Sequence, residues 1–204
     1  MIELLKHVLD PMFLIQSLGL LGILGIVFAE SGLFFGFFLP GDSLLFVAGL
    51  LSSQGLMSLP LLLIGVFAAA VLGDSVGYSF GFRVGRKLFE KEDSFFFKKK
   101  YLIQTENFFA KYGSKAVVLA RFVPIVRTFT PILAGVGKMK YGSFLRYNLA
   151  GGFLWTMLLV LSGFYLGKII PSSDKYILPI VLVIIVISFV PAVIELWKNY
   201  KKKV

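Results

Sequence analysis

Residues 116–136 read AVVLARFVPIVRTFTPILAGV, an apolar stretch that contains two arginines and two prolines. A membrane-spanning helix needs about 20 apolar residues, and one arginine at its centre costs about 2.5–3.5 kcal/mol. Arg121 and Arg127 therefore nearly cancel the gain from the aliphatic residues around them, and Pro124 and Pro131 interrupt a straight helix. The stretch predicts a broken helix at membrane depth, surrounded by protein rather than by lipid.

The composition of the whole chain places it in a membrane and excludes several function classes. Of 204 residues, 57% are hydrophobic and 16% are charged, whereas soluble domains contain about 45–50% and about 25%. The chain has no cysteine and a single histidine, His7. Disulfides, thiolate nucleophiles and cysteine or histidine-cluster metal sites are therefore excluded, and we expect no cofactor. The first ten residues lack the pattern of a removable signal peptide.

Further apolar segments lie on both sides of residues 116–136. One of them, Ser31–Leu51, is interrupted by Leu39-Pro40-Gly41-Asp42 and makes a poor span. The others are long enough to cross a bilayer and are Met12–Phe28, Leu56–Phe82, Tyr147–Leu166 and Ile177–Trp197.

The net charge of +10 is concentrated in a few segments. Of the 21 basic residues, nine lie in residues 83–115, four in residues 198–203 and three in residues 138–146. Residues 52–58 and 168–175 contain almost no positive excess. Under the positive-inside rule the three basic segments are cytoplasmic. The basic residues are not interleaved with aromatic residues on a polar surface, so we expect no nucleic-acid partner.

The positions of these loops determine how the two poor spans enter the membrane. If the basic loop of residues 83–115 and the tail are both cytoplasmic, the last two spans cross out and back, and residues 138–146 are cytoplasmic too. Residues 116–136 then begin and end on the same side, as a re-entrant hairpin does. By the same count residues 31–51 dip in from outside. The alternative, two straight but poor spans, puts residues 138–146 or the tail on the wrong side.

The sequence thus predicts an all-α polytopic membrane protein with four spanning helices and two opposed re-entrant broken-helix hairpins in an inverted-repeat arrangement. Such opposed broken helices are typical of transporters. We expect a single membrane domain over residues 1–204. Its parts are a first half (12–82) with hairpin 31–51, a cytoplasmic basic loop with an interfacial helix (83–115), a second half (116–197) with hairpin 116–136, and a cytoplasmic basic tail (198–204).

Ionisable side chains inside these apolar segments form the candidate site: Glu30, Asp42, Asp74, Arg121 and Arg127. Intramembrane charges are costly and are functional-site hypotheses by default. The planar guanidinium group suits phosphate or carboxylate, so we expect an anionic ligand. Two structural alternatives stay open. The charges can form an ion-pair network that only fixes hairpin packing, and Asp42 can be the N-cap of the helix that follows Pro40-Gly41.

A stripe of glycines recurs every four residues along the second span, at Gly73, Gly77, Gly81 and Gly85. This spacing predicts a face for close helix packing rather than a ligand site. Asp74 lies beside the stripe, and Tyr78 follows one turn later, within reach of a polar group. We assign supporting roles to these two residues and to Pro40 and Pro124, which interrupt the hairpins.

Several blocks between Phe28 and Gly167 resemble the DedA family of bacterial inner-membrane proteins, which is related to the SNARE-associated or VTT-domain proteins of eukaryotes. The blocks are Glu30, Phe38–Leu45 (FLPGDSLL), Gly73-Asp74 with Tyr78 and Gly81, Lys111-Tyr112-Gly113, and the most specific one, Ala120–Thr128 (ARFVPIVRT) with Ala134-Gly135. The resemblance implies a lipid-translocating fold that moves undecaprenyl phosphate or phospholipids between leaflets and depends on the proton gradient. It also implies that Glu30 and Asp42 are essential acids and that Arg121 and Arg127 are essential arginines. Ile125 departs from the small residue that many members have after the proline.

These observations predict a membrane lipid transporter or flippase rather than an enzyme, located in the bacterial cytoplasmic membrane with both termini cytoplasmic. We expect Arg121 and Arg127 to bind the phosphate of a lipid headgroup, and Glu30 and Asp42 to compete for the arginines until protons neutralise them. The expected partners are the anionic lipid, protons and the bilayer. An uncoupled phospholipid scramblase and a membrane-embedded lipid-modifying enzyme are the alternative functions.

Overall fold

The computed structural model describes residues 11–33, 39–85, 109 and 112–169, and these residues form helices and turns without a β-strand. A π-helical turn (Gly81–Gly85) extends the third helix, and a 3-10 turn (Gly113–Lys115) precedes the fourth. The predicted span Ile177–Trp197, the tail and most of the basic loop lie outside the described residues. The α-helices are α1 (Pro11–Gly32), α2 (Gly41–Ser53), α3 (Leu59–Phe80), α4 (Ala116–Ala120), α5 (Pro124–Val136) and α6 (Tyr141–Ile169).

Two helical stretches of the described residues are long and apolar enough to cross a bilayer, Leu59–Val84 and Tyr141–Ile169. They contain or overlap the predicted spans Leu56–Phe82 and Tyr147–Leu166. Helix α6 nevertheless begins at Tyr141, so Arg146 lies in a helix and not in the predicted loop. Hydropathy marks the apolar part of a span, whereas the backbone hydrogen bonds of the helix continue into its polar end.

The predicted first span lies within α1, but Gly19 interrupts that helix with φ 57° and ψ −154°. Glycine adopts positive φ at little cost because it has no Cβ, so an apolar run alone does not reveal this break. The apolar helix beyond the break, Gly19–Gly32, is shorter than the about 20 residues of a typical span.

Both predicted hairpins are interrupted at the prolines that were expected to break them, Pro40 and Pro124. Helix α1 ends at Gly32, and α2 begins at Gly41, directly after Pro40. Helices α4 and α5 are separated by residues 121–123, and Pro124 is the first residue of α5. Proline suits the first helical turn because it has no N–H, and at that position an N–H would lack an intrahelical acceptor.

The chain divides into two compact units. The first unit comprises residues 1–23, 40–63 and 157–204, and within it α2 packs against the C-terminal part of α6. Glycines make this approach possible, because a Cβ at Gly49 would overlap the carbonyl group of Val160 and a Cβ at Gly163 would overlap that of Phe46.

The second unit comprises residues 24–39 and 64–156, and the glycine stripe of α3 is a packing face within it. A Cβ at Gly73 would lie 2.6 Å from the carbonyl oxygen of Phe28 in α1. A Cβ at Gly81 would overlap the carbonyl group of Ile132 in α5. The prediction of a packing stripe is thus confirmed where α3 and its π-helical turn contact α1 and α5.

A buried aromatic and aliphatic cluster within the second unit consists of Tyr78, Val117, Ala134 and Phe144. The partly buried side chains of Phe109, Met139 and Tyr147 pack against it. Val117 stands near the start of α4 and Ala134 near the end of α5. The segment of residues 116–136 therefore begins and ends at the same cluster.

Candidate functional site

The two arginines of the broken segment are buried in the second unit. Arg121 directly follows α4, and Arg127 lies in the N-terminal part of α5. Their exposed fractions are 4% and 9%. Because an unpaired buried charge is very unfavourable, the partners of these guanidinium groups decide what the site can do.

Arg121 is bound by side chains from two other helices. It forms a buried ion pair with Asp74 of α3, and its Nη2 also donates a hydrogen bond to Oδ1 of Asn148 in α6, at 2.5 Å. Asn148 is fully buried, and its Nδ2 donates to the backbone carbonyl of Val71 at 3.2 Å. Arg121 Nε is buried without a hydrogen-bond partner among the described residues. Asn148 therefore joins the guanidinium group to the backbone of α3.

Arg127 has a different carboxylate. It forms a buried ion pair with Glu30 near the end of α1. Both guanidinium groups also lie over the indole ring of Trp155, with Cζ-to-centroid distances of 5.8 Å for Arg121 and 4.9 Å for Arg127. On an unbroken helix, residues six apart point about 240° around the axis from each other. The break before Pro124 allows both arginines to reach one aromatic ring.

Helix α6 presents one face to Arg121. Asn148 and Trp155 are seven residues apart and therefore lie on the same side of the helix. Gly151 and Gly152 lie between them, and a Cβ at either glycine would come within 3.4–3.6 Å of the Arg121 side chain. The arginine side chain crosses α6 where the helix has no side chains.

Asn148 and Trp155 are not among the site residues predicted from the sequence. Both lie in a segment that reads as an ordinary apolar span. The sequence did contain a signal. Asn148 is a polar amide inside an apolar span, and it lies two helical turns before Trp155 on the helix face that also contains Gly151 and Gly152. Such a polar residue within a span is a recognised indicator of an interhelical contact.

The structure divides the predicted acids between the two units. Glu30 and Asp74 lie in the second unit and pair with Arg127 and Arg121, so Asp74, to which we assigned a supporting role, contacts an arginine directly. Asp42 lies in the first unit, within the first turn of α2. The N-cap position of α2 is occupied by Pro40, so the N-cap alternative for Asp42 is wrong. A carboxylate in the first turn still interacts favourably with the helix dipole.

Tyr78 supports the site indirectly. Its hydroxyl group donates a hydrogen bond to the backbone carbonyl of Met139, just before α6, and not to Asp74 one turn earlier. Its ring stacks on Phe144 with a centroid distance of 4.7 Å. Tyr78 thus joins the end of α3 to the start of α6, the helix that provides Asn148 and Trp155.

The charges of the site balance within the second unit, because two arginines face two carboxylates. Among the residues that the structure describes, no three histidine, aspartate or glutamate side chains lie together as a metal site would require. A guanidinium group has five N–H donors, and phosphate oxygens are as suitable acceptors as carboxylate oxygens. The chemistry that this arrangement supports is the exchange of one oxyanion for another at a fixed cation.

Similarity to known proteins assigns the chain to a family. Residues 39–165 match the family described as the VTT domain. The chain is 44% identical to the protein DedA of Escherichia coli over 176 residues, which cover 85% of this chain and 80% of the relative. It is 33% identical over 183 residues to the inner membrane protein YqjA of the same organism, covering 85% and 82%.

A third relative extends the similarity to nearly the full length. The chain is 41% identical over 205 residues to an uncharacterized membrane protein of Mycobacterium leprae, covering 98% of this chain and 91% of the relative. No solved structure matches the chain. With its VTT domain and its identity to DedA, the chain belongs to the DedA family of membrane proteins.

Proposed function

We propose that this chain is a transporter that moves a lipid with an anionic phosphate headgroup between the leaflets of the bacterial cytoplasmic membrane. The observation that supports this function best is the pair of buried arginines over Trp155, each with its own carboxylate. Apolar side chains would join these helices at a lower desolvation cost than ion pairs do. Fixed cations at membrane depth therefore favour a role in binding an anion.

The proposal includes the topology of four spans and two opposed re-entrant hairpins, with both termini cytoplasmic. Three observations support it. Helical breaks occur at Pro40 and at residues 121–123. Val117 and Ala134 lie in one cluster, as the ends of a re-entrant segment would. The relative YqjA is named an inner membrane protein.

In the proposed cycle, phosphate oxygens replace carboxylate oxygens on the arginines. A proton that enters from outside neutralises Glu30, and Arg127 becomes available to the headgroup phosphate while the lipid tails stay in the bilayer. Proton release to the cytoplasm restores the carboxylate, which displaces the phosphate. Lipid phosphate and protons then move inward together. Asp74 has the same relation to Arg121, and Asp42 is proposed as a further proton-coupling acid in the first unit.

The lipid class follows from the chemistry of the site. Two guanidinium groups suit a phosphate monoester or diester on a lipid, such as undecaprenyl phosphate or an anionic phospholipid. The cycle breaks no covalent bond, so the proposed function is not enzymatic.

A leaflet-resolved transport assay in proteoliposomes tests this function. An inward proton gradient should accelerate movement of a fluorescent lipid phosphate by the wild-type chain. Glu30→Gln mimics the protonated acid, so this variant should move the lipid at one rate with and without the gradient. Protein-free liposomes and liposomes treated with a proton ionophore are the controls.

Other outcomes of the same assay would overturn the proposal. Equal movement of zwitterionic and anionic lipids, unaffected by the gradient, identifies an uncoupled scramblase. Release of inorganic phosphate from the lipid identifies an enzyme.

A further inference from the structure

Five exposed cations of the second unit lie in segments that also contribute to, or directly flank, the buried cluster of Tyr78, Val117, Ala134 and Phe144. Each cation is close in the chain to a member of the cluster or to Met139, which accepts the Tyr78 hydrogen bond. They lie in the π-helical turn after α3, in the 3-10 turn before α4, in the turn between α5 and α6, and in the first turns of α6. We call them the basic rim: Arg83, Lys115, Lys138, Lys140 and Arg146.

The basic rim has no acidic counterpart in the described part of the chain. The acidic residues described there are Glu30, Asp42 and Asp74, and none of them is exposed. Glu30 and Asp74 pair with buried arginines, and Asp42 is half-buried in the first turn of α2. Within the described residues, the positive charge of the rim therefore faces its surroundings without a neutralising carboxylate.

Lys138 has an unfavourable backbone conformation. Its φ is 53°, and it is the one non-glycine residue with positive φ among those described. A residue with a Cβ is destabilised at positive φ by steric clashes, whereas glycine is not. Lysine also lacks the short polar group with which asparagine or aspartate stabilises this conformation. This conformation completes the C-terminus of α5, where the Met139 N–H donates to the Ala134 carbonyl at 3.0 Å, and a lysine here occupies a position at which glycine is the usual residue.

Exposed aromatic side chains accompany the rim. Phe82, Tyr112 and Tyr141 are 52%, 46% and 45% exposed, and Tyr141 also donates a hydrogen bond to Ser75 Oγ at 3.3 Å. Tyrosine and tryptophan are enriched where a membrane protein meets the headgroups, and Tyr112 and Tyr141 are of this kind. Cations beside them are therefore at the right depth to contact lipid phosphates.

We propose that the basic rim is a binding site for the phosphate headgroups of anionic phospholipids, phosphatidylglycerol being the simplest. Lysine and arginine side chains bind the phosphates, and the aromatic residues lie among the glycerol backbones. The lipids at this site are bound from the surrounding leaflet. The inference goes beyond the proposed function, because it holds whether or not the chain transports lipid.

Lipid binding to the purified full chain tests the rim. The chain is titrated in neutral detergent with phosphatidylglycerol or with phosphatidylcholine of the same acyl chains, and bound lipid is measured by native mass spectrometry. Lys138→Gly and Lys140→Gln should each weaken phosphatidylglycerol binding on the order of fivefold and leave phosphatidylcholine binding unchanged. Lys168→Gln is the matched control, since Lys168 is an exposed lysine of the first unit and should have no effect.

Lys138→Gly also separates the role of the charge from a role in folding. Without lipid, its thermal unfolding temperature should equal or exceed that of the wild type, because glycine relieves the positive φ. Stability would then be retained or increased while lipid binding falls, which a purely structural lysine does not explain.

Three results would overturn the inference. The first is wild-type phosphatidylglycerol affinity in the triple variant Lys138→Gly, Lys140→Gln, Arg146→Gln. The second is an equal loss of affinity in Lys168→Gln. The third is displacement of phosphatidylglycerol by inorganic phosphate, which would identify a site for the free anion. None of these readouts involves transport. The same titration of Arg127→Lys separates phosphatidylglycerol bound at the rim from phosphatidylglycerol bound at the buried arginines, because only binding at the arginines should weaken in that variant.

Discussion

A buried guanidinium group needs several acceptors, and Arg121 finds them on two helices. Asp74 neutralises its charge. Asn148 adds a neutral acceptor, which protonation does not abolish as it would a carboxylate. Arg127 has Glu30 and the face of Trp155. The sequence alone predicted that these arginines and carboxylates belong to one site, because all of them are ionisable residues within apolar segments. It did not indicate which acid pairs with which arginine, because that pairing depends on how α1, α3 and α5 pack.

The planar guanidinium group of Arg127, which can donate two parallel hydrogen bonds to one phosphate, is the first feature to test. Arg127→Lys keeps the charge but loses bidentate binding, so we expect transport of a lipid phosphate to fall about ten- to hundredfold, since a charge-assisted hydrogen bond contributes about 1.5–3 kcal/mol. The proteoliposome assay measures the change, with Lys168→Arg as the reciprocal control. Wild-type rates in Arg127→Lys, with normal membrane insertion, contradict bidentate phosphate binding.

Asn148 provides the second test. Asn148→Leu removes an acceptor from Arg121 and a donor from the Val71 carbonyl, so we expect the free energy of unfolding to fall by about 1–2 kcal/mol. Thermal unfolding in detergent measures this loss. Asn148→Asp retains an acceptor for Arg121 and should keep the contact. Equal stability of Asn148→Leu and the wild type would show that the amide contributes nothing.

At the scale of elements, glycine governs how closely the helices approach. Prolines in the sequence located both helical breaks, because proline acts on its own backbone and on the residue before it. The kink at Gly19 was not predictable in the same way, since glycine also occurs inside regular helices and only the packed structure selects its positive φ. The early start of α6 was missed for a related reason: hydropathy reports the apolar core of a helix and not its ends.

Gly135 tests this close packing. A Cβ there would lie 2.6 Å from the backbone nitrogen of Phe82 in the π-helical turn. Overfilling of this kind costs about 1–3 kcal/mol, so Gly135→Ala should lower the unfolding temperature in detergent. Gly142→Ala is the matched control in α6, because nothing lies within 4 Å of the added Cβ. An unfolding temperature of Gly135→Ala equal to that of the wild type would mean that α5 can move away from the π-helical turn.

At the scale of the whole molecule, the topology of the segment between residues 116 and 136 decides the architecture. Lys115 precedes the segment, and Lys138 follows it. Both side chains are exposed, and the chain has no native cysteine, so single cysteines can be introduced without a background. For a re-entrant hairpin, impermeant thiol reagents applied to oriented vesicles should label Lys115→Cys and Lys138→Cys from the same side.

Labelling of these two positions from opposite sides would mean that the segment crosses the bilayer. A cysteine in the predicted outer loop, Gln54→Cys, is the control for sidedness and should react from the other side. Charge counting along the sequence predicted this arrangement, because each basic loop restricts the parity of the spans between loops. Charge counting does not predict how deeply each hairpin enters the membrane, because that depth depends on contacts between distant segments.

The order of the paired charges along the chain has a consequence for biogenesis. Glu30 and Asp74 are synthesised before Arg121 and Arg127, the residues that neutralise them. During translation, the insertion machinery must therefore accommodate two acidic side chains before the cationic halves of their pairs leave the ribosome. A nascent chain stalled before residue 116 retains both carboxylates without these arginines, and we expect membrane proteases to degrade it faster than the completed protein.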